Sequence, residues 1–173
     1  LPCGNARAAA VRTLAPSPVA TLGHIGGGSG AIAIDFLRNA PRSNAHAIDR
    51  DPAQLEMAKR NAAACGVLHL QLHQAELPDG LGELPQPDAI FIGGGLSEAL
   101  VTQCQAALPV GGILVAHCVT IESEAILTVQ WQKTGGDLIR LAVHHADPIG
   151  GFHGWRPLMP VTQWYWVKQQ GRR

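Results

Sequence analysis

The residues best suited to chemistry cluster in His24-Ile25-Gly26-Gly27-Gly28-Ser29-Gly30. Glycines have no Cβ and tolerate positive φ, so a turn built from them lets a ligand lie directly against backbone N–H groups. If a helix starts at the turn, its unpaired N–H groups and dipole favour an anionic or polar ligand. Asp49 stands 19 residues beyond Gly30, where a carboxylate can accept both ribose hydroxyls of an adenosine. A second run, Gly93-Gly94-Gly95, follows Asp88-Ala89-Ile90-Phe91-Ile92, and a backbone bare of side chains there would admit a large flat substrate. Arg156, His153 and the helix N-terminus after Thr120 could grip carboxylates, and Glu122 could accept a proton.

These groups need elements to position them. An apolar run over residues 19–22 predicts a strand before the first glycine turn, and residues 31–37 have helical spacing after it. Residues 45–49 and 67–72 predict the second and third strands. Asp51-Pro52 opens the helix between them, with Asp51 as N-cap and Pro52 where its missing N–H costs nothing. Leu55, Met57, Ala58 and Ala62 give that helix its apolar side. Residues 87–92 form an apolar fourth strand, as expected for a parallel sheet covered on both faces. A helix over residues 97–108, a strand over 111–116, and a helix N-capped by Thr120 and stopped by Gly135-Gly136 follow. Strands at residues 138–143 and 159–167 complete the chain. The alternation predicts an α/β doubly wound, seven-stranded sheet whose last strand returns antiparallel as a hairpin partner. The first and fourth strands would then flank the switch point, so both glycine runs open onto one crevice. Residues 6–14 predict a leading helix, ended by Pro16-Ser17-Pro18 and placed to lid that crevice. Residues 150–157 read as a loop near the sheet edge.

Composition narrows the functions. The chain has 173 residues, enough for one domain with a real core, and is 46% hydrophobic and 15% charged, which excludes disorder. Thirteen basic residues balance thirteen acidic ones, so no global field favours nucleic acid. No apolar run spans a bilayer. Cys3, Cys65, Cys104 and Cys118 form no CxxC pair and predict reduced thiols in a cytoplasmic protein. Without an initiator Met, the chain is expected to begin inside a longer frame or to have been trimmed. No metal site is expected: His69 and His73 on one strand would be about 13 Å apart, and His144 and His145 would point to opposite faces. Trp164 and Trp166 share a strand face as core or subunit interface.

The glycine turn alone does not choose its cofactor. Gly26-x-Gly28-x-x-Ala31 satisfies the dinucleotide fingerprint, while Gly26-x-Gly28-x-Gly30 matches the turn of S-adenosylmethionine (SAM) methyltransferases. Several segments together resemble the decarboxylating precorrin methyltransferases of cobalamin biosynthesis. They are Ile25 through Gly30, Ala89 through Gly95, Val119-Thr120-Ile121-Glu122-Ser123-Glu124, and Gly154-Trp155. The likeness runs from about residue 12 to residue 164 and matches a domain found free-standing or as the C-terminal half of a precorrin-6Y enzyme. It implies a class I SAM-methyltransferase (Rossmann-like) fold, methylation at carbon 15 of the macrocycle, loss of carbon dioxide from the acetate on carbon 12, and a homotetramer.

The expected cofactor contacts are His24, Gly26, Gly27, Gly28 and Gly30, then Asp49 and Arg50, then Ala75 and Gly93; the expected substrate contacts are Gly94, Gly95, Thr120, Trp155 and Arg156. His117, Glu122 and His153 are the candidates for catalysis. The family usually has an acid at the position of His24, an Asn at that of His117 and a Glu at that of Asp49. Other readings of the same residues are a SAM-dependent tRNA adenine methyltransferase, a non-catalytic domain of this fold, and an NAD-binding domain. Against the first stands the absence of an Asn-Pro-Pro-Tyr type motif after the fourth strand.

Overall fold

Strands buried on both faces need continuous apolar runs, and the centre of the sheet is built from them. In the computed structural model, which describes residues 4–170, β1 (Thr21–Ile25), β4 (Ala89–Ile92) and β5 (Ile113–Cys118) lie side by side and are buried almost throughout. β2 (Asn44–Asp49) and β3 (Gln71–Gln74) extend the parallel sheet from β1. On the other side, β9 (Val161–Val167) inserts between β5 and β6 (Asp137–Leu141), antiparallel to both, giving the order β3-β2-β1-β4-β5-β9-β6.

Side-chain alternation sorts the core into two layers. Leu22, Ala47, Ala89, Phe91 and Val115 face α1 (Gly4–Leu14), α2 (Ala31–Asn39) and α3 (Pro52–Ala64). Ile25, Ile48, Ile90, Ile92, Leu114 and Trp164 face α4 (Glu98–Ala107) and α5 (Ile121–Thr134). Three helix starts are capped by side chains: Asp51 accepts from Ala53 N at 2.8 Å, Ser97 from Leu100 N at 3.2 Å and Thr120 from Ser123 N at 3.3 Å.

The seven-stranded sheet with an antiparallel last strand is as expected, but several details differ. β9 pairs antiparallel with β6 as expected, but not through a direct hairpin turn: a separate two-stranded sheet, β7 (His144–Ile149) and β8 (Phe152–Pro157), lies between them in the chain. Residues 150–157 are therefore a turn and a strand rather than a loop. Gly150-Gly151 makes the two-residue turn joining Ile149 to Phe152, while the flanking strands lack apolar alternation because both of their faces are largely exposed. β1 and β3 begin later than the apolar runs suggest. Val19 is exposed with positive φ, and Val67 and Leu70 pack into the core from the turn before β3. Met57 is partly exposed rather than core. The leading helix is not a lid: Ala10, Val11 and Leu14 are buried under the sheet beside α2.

Trp164 is fully buried, and its indole N–H donates to Gly135 O at 3.0 Å. Trp164→Ala should lower unfolding free energy by about 3–5 kcal/mol, read from urea denaturation.

Candidate functional site

The site grows from the strand ends. Each turn prolongs a ladder by one bond: Gly27 N donates to Ile48 O and Gly93 N donates to Ile25 O, both at 2.9 Å. The two glycine runs consequently meet, as the switch-point argument requires. Gly26 has φ +64°, and a Cβ on it would lie 2.7 Å from Gly94 N and 2.8 Å from Gly94 Cα. Gly30, at φ 75°, turns the chain into α2 and packs on α3, where a Cβ would lie 3.0 Å from Ala58 Cβ. Asp49 ties the turn down. Its Oδ2 accepts from Gly28 N at 2.9 Å and its Oδ1 from Asp51 N at 3.0 Å.

Beside these turns is a largely apolar cavity of about 920 Å³. Its near wall is the Gly26–Ser29 turn, the start of α2 at Ala31 and Ile32, and Gln54 and Met57 of α3; its far wall is His117, Cys118, Val119, Leu158, Met159 and Val161. His24, Phe91 and Gly93 lie between. Phe91 is edge-on to two imidazoles, His24 at 5.4 Å and His117 at 5.1 Å between ring centroids.

The titratable groups of this wall are all driven toward their neutral forms. Burial lowers His24 to about 4 against the opposing pull of the Asp49 charge. Burial also lowers His117, opposed by its hydrogen bond to Gln163. Burial, reinforced by Glu124, raises the Cys118 thiol to about 11, so it is no thiolate nucleophile at neutral pH. Nδ1 of His24 and Nδ1 of His117 are buried without a hydrogen-bond partner. Orphaned polar atoms of this kind are uncommon in native interiors, and both of these belong to rings that line the cavity.

The expected residues divide into three groups. His24, Gly26, Gly27, Gly28, Gly93 and His117 line the cavity. Asp49, Gly30 and Gly94 support it through the contacts above. Ala75 sits behind Asp49, its N–H donating to Asp49 O at 3.3 Å, whereas Arg50 and Gly95 are exposed nearby. Thr120 caps α5, and Glu122 is exposed in the first turn. Glu124, not Glu122, is the engaged acid there: it accepts from Thr162 Oγ1 at 2.6 Å and pairs with Arg140, and these bonds hold its carboxyl below the usual range. His153, Trp155 and Arg156 stand outside the cavity on β8, where Arg156 pairs with Asp147 at 2.7 Å.

Sequence reasoning missed Gln54, Met57, Cys118, Val119 and the 158–161 segment as wall residues. It also missed the partner of His73. His69 precedes β3, and His73 Nε2 instead lies 3.0 Å from Nδ1 of His46 on β2. Among the described residues no three His, Cys, Asp or Glu side chains converge as a metal site would require.

A sequence profile of the precorrin methyltransferase domain matches residues 3–168. A Sinorhizobium protein named precorrin-6Y C(5,15)-methyltransferase (decarboxylating) is 46% identical over 163 residues, covering 94% of this chain and 40% of its own length. The chain thus spans about two fifths of that relative. A Pyrobaculum aerophilum protein named "Probable cobalt-precorrin-6B C(15)-methyltransferase (decarboxylating)" is 32% identical over 149 residues, covering 82% of this chain and 75% of its own. The solved C-terminal domain of precorrin-6Y C5,15-methyltransferase from Rhodobacter capsulatus superposes with TM-score 0.88 at 33% identity, covering 95% of this chain and 89% of that one. An RNA methyltransferase from Salinibacter ruber, solved with S-adenosyl-L-homocysteine, shares the fold at TM-score 0.65 and 16% identity over 98% of this chain and 94% of that one. The fold is that of SAM-dependent methyltransferases.

Two measurements check this geometry. Gly66 has φ +72° with open space around it, so Gly66→Ala should cost about 1 kcal/mol of backbone strain; Gly26→Ala adds the clash with Gly94 and should cost more, read from denaturant midpoints. His24 titrates near 4 folded and near 6.5 unfolded, so the unfolded chain binds the extra proton in between. Stability should therefore fall as pH drops from 6.5 toward 4, by on the order of 3 kcal/mol from this residue, and His24→Phe should flatten that slope in denaturation curves.

Proposed function

The chain belongs to the precorrin methyltransferase domain family, and from that premise we propose that it is a single SAM-dependent methyltransferase domain. It methylates carbon 15 of a precorrin and releases carbon dioxide from the acetate on carbon 12, which leaves a methyl group there, in cobalamin biosynthesis. One observation carries the reading: the two glycine runs meet at the mouth of an apolar cavity of about 920 Å³, above a turn tied to a strand-end carboxylate.

The residues fit SAM. Gly26, Gly27 and Gly28 offer bare backbone along the cavity wall, and Asp49 uses two acceptor positions on Gly28 and Asp51, leaving carboxylate lone pairs for ribose hydroxyls. When bound, SAM supplies an electrophilic methyl group. The chain's own part is to hold the accepting carbon in line, about 3–3.5 Å from that methyl, which requires shape rather than acid or base. The apolar walls keep water away from the substrate carboxylate, and desolvation favours its loss as carbon dioxide.

The exposed hairpin supports a homotetramer. Ile149, Phe152 and Trp155 are 65%, 81% and 75% exposed on β7 and β8, a surface suited to another copy. No helix among the described residues is long and apolar enough to cross a membrane, and the free thiols of Cys104 and Cys118 suit a reducing cytoplasm. The balanced charge offers nothing to a nucleic-acid backbone.

Calorimetry should detect S-adenosylhomocysteine binding, and Asp49→Ala should weaken it by about 1.5–3 kcal/mol, the worth of hydrogen bonds to a charged group. A chain that binds neither S-adenosylhomocysteine nor SAM at millimolar ligand is not this enzyme.

A further inference from the structure

The mouth of the cavity is rimmed by apolar side chains that stand open to solvent. Met57 on α3 is 37% exposed, Val119 after β5 is 52% exposed and Met159 before β9 is 68% exposed, and all three line the cavity. Met57 belongs to the near wall, Val119 and Met159 to the far wall. Met57 and Met159 are the only methionines in the chain, and they face the cavity from opposite sides. A thioether side chain is unbranched and moulds itself to an apolar surface. The backbone under each is held in place. Met57 precedes Ala58, which is buried against Gly30, and Val119 precedes Thr120, the N-cap of α5. Leu158 N donates to Val143 O at 2.8 Å, and Pro160 keeps the backbone of Met159 out of the helical region.

We propose that Met57, Val119 and Met159 form an apolar clamp that grips the macrocycle at the cavity mouth, so that only its reacting edge enters and its remaining carboxylate arms stay in water. The inference rests on the methyltransferase reading above and adds how the substrate is held. Two observations give the orientation. A cavity of about 920 Å³ is of the size that encloses one drug-sized ligand, and here a methyl donor and a macrocycle must meet in it, so most of the macrocycle lies beyond the mouth. The lining residues include no Asp, Glu, Lys or Arg, so a carboxylate drawn inside loses its water and finds no cation. Arms that are kept are therefore better left outside, and the acetate beside the accepting carbon is the one that desolvation acts on. The clamp touches the ring faces, not the methyl donor.

The test has two arms on the whole chain. In dilute hydrogen peroxide the ligand-free protein should form sulfoxide at both Met57 and Met159, read from peptide masses. Saturating S-adenosylhomocysteine should leave Met159 oxidisable, whereas uroporphyrin, a stable tetrapyrrole with acetate and propionate arms, should protect both. A Met159 already protected in the ligand-free protein overturns the clamp, because another copy of the chain then covers it. A uroporphyrin that fails to bind, or binds without protecting either methionine, overturns the clamp and leaves the methyltransferase reading intact. In the second arm, Met57→Gln and Met159→Gln should each raise KM for a precorrin roughly five- to tenfold, through loss of part of the apolar transfer free energy of the side chain. Val119→Asp, which sets a charge against the ring, should raise it further. Since the grip is the same before and during reaction, kcat should stay within about twofold, and the affinity for S-adenosylhomocysteine should not move. Leu68→Gln, on an exposed side chain away from the cavity, should leave KM unchanged. Equal KM values in the Met57 and Met159 variants and the unaltered protein overturn the clamp alone. A chain that binds S-adenosylhomocysteine but releases no carbon dioxide from any precorrin overturns the proposed reaction and the clamp with it.

Discussion

Gly26 leaves no room for a Cβ against Gly94, and the rest of the site depends on that approach. Parallel pairing of β1 with β4 sets Ile25 against Ile92, so the two chains leave the sheet side by side and must turn in the same space. A side chain at Gly26 would have to push Gly94 aside. With none, the turns stack, Gly93 and Gly27 each extend a ladder by one bond, and the mouth of the cavity is walled by backbone. Asp49 holds the arrangement from the β2 side by accepting from Gly28 and Asp51.

The cavity behind that mouth is notable for its lack of charge. Burial lowers both imidazoles and raises the thiol, so His24, His117 and Cys118 are all neutral near pH 7. Its charges must arrive with its ligands. A weakly hydrated wall strengthens the electrostatic interactions among those ligands and leaves hydrogen-bond direction to a few fixed atoms. The Nδ1 atoms of His24 and His117, on either side of Phe91, are buried without a hydrogen-bond partner, and each costs stability.

The hairpin is separate from that economy. β7 and β8 pair with each other rather than with the main sheet, and their large apolar side chains face outward. His153, Trp155 and Arg156 travel with it, which is why residues that look like carboxylate grips in the sequence do not reach the cavity of their own chain.

The alternation of strands and helices, the caps at Asp51 and Thr120, the glycine turn and its acid were legible from the amino-acid sequence because each is a local signal carried by neighbouring residues. The seven-strand sheet and the meeting of the glycine runs followed from topology rules acting on those elements. What tertiary structure decided was non-local. Insertion of β9 between β5 and β6 brings Gln163 to His117, 46 residues away, and to Thr13, 150 residues away. Register across β2 and β3 joins His46 to His73. The hairpin was unreadable because exposed strands have no buried face to impose alternation. The sequence by itself determined where a cofactor turn must lie and what would hold it. Only the packed sheet decided which side chains form the facing wall, because their contacts depend on strand order and register, which no local pattern encodes.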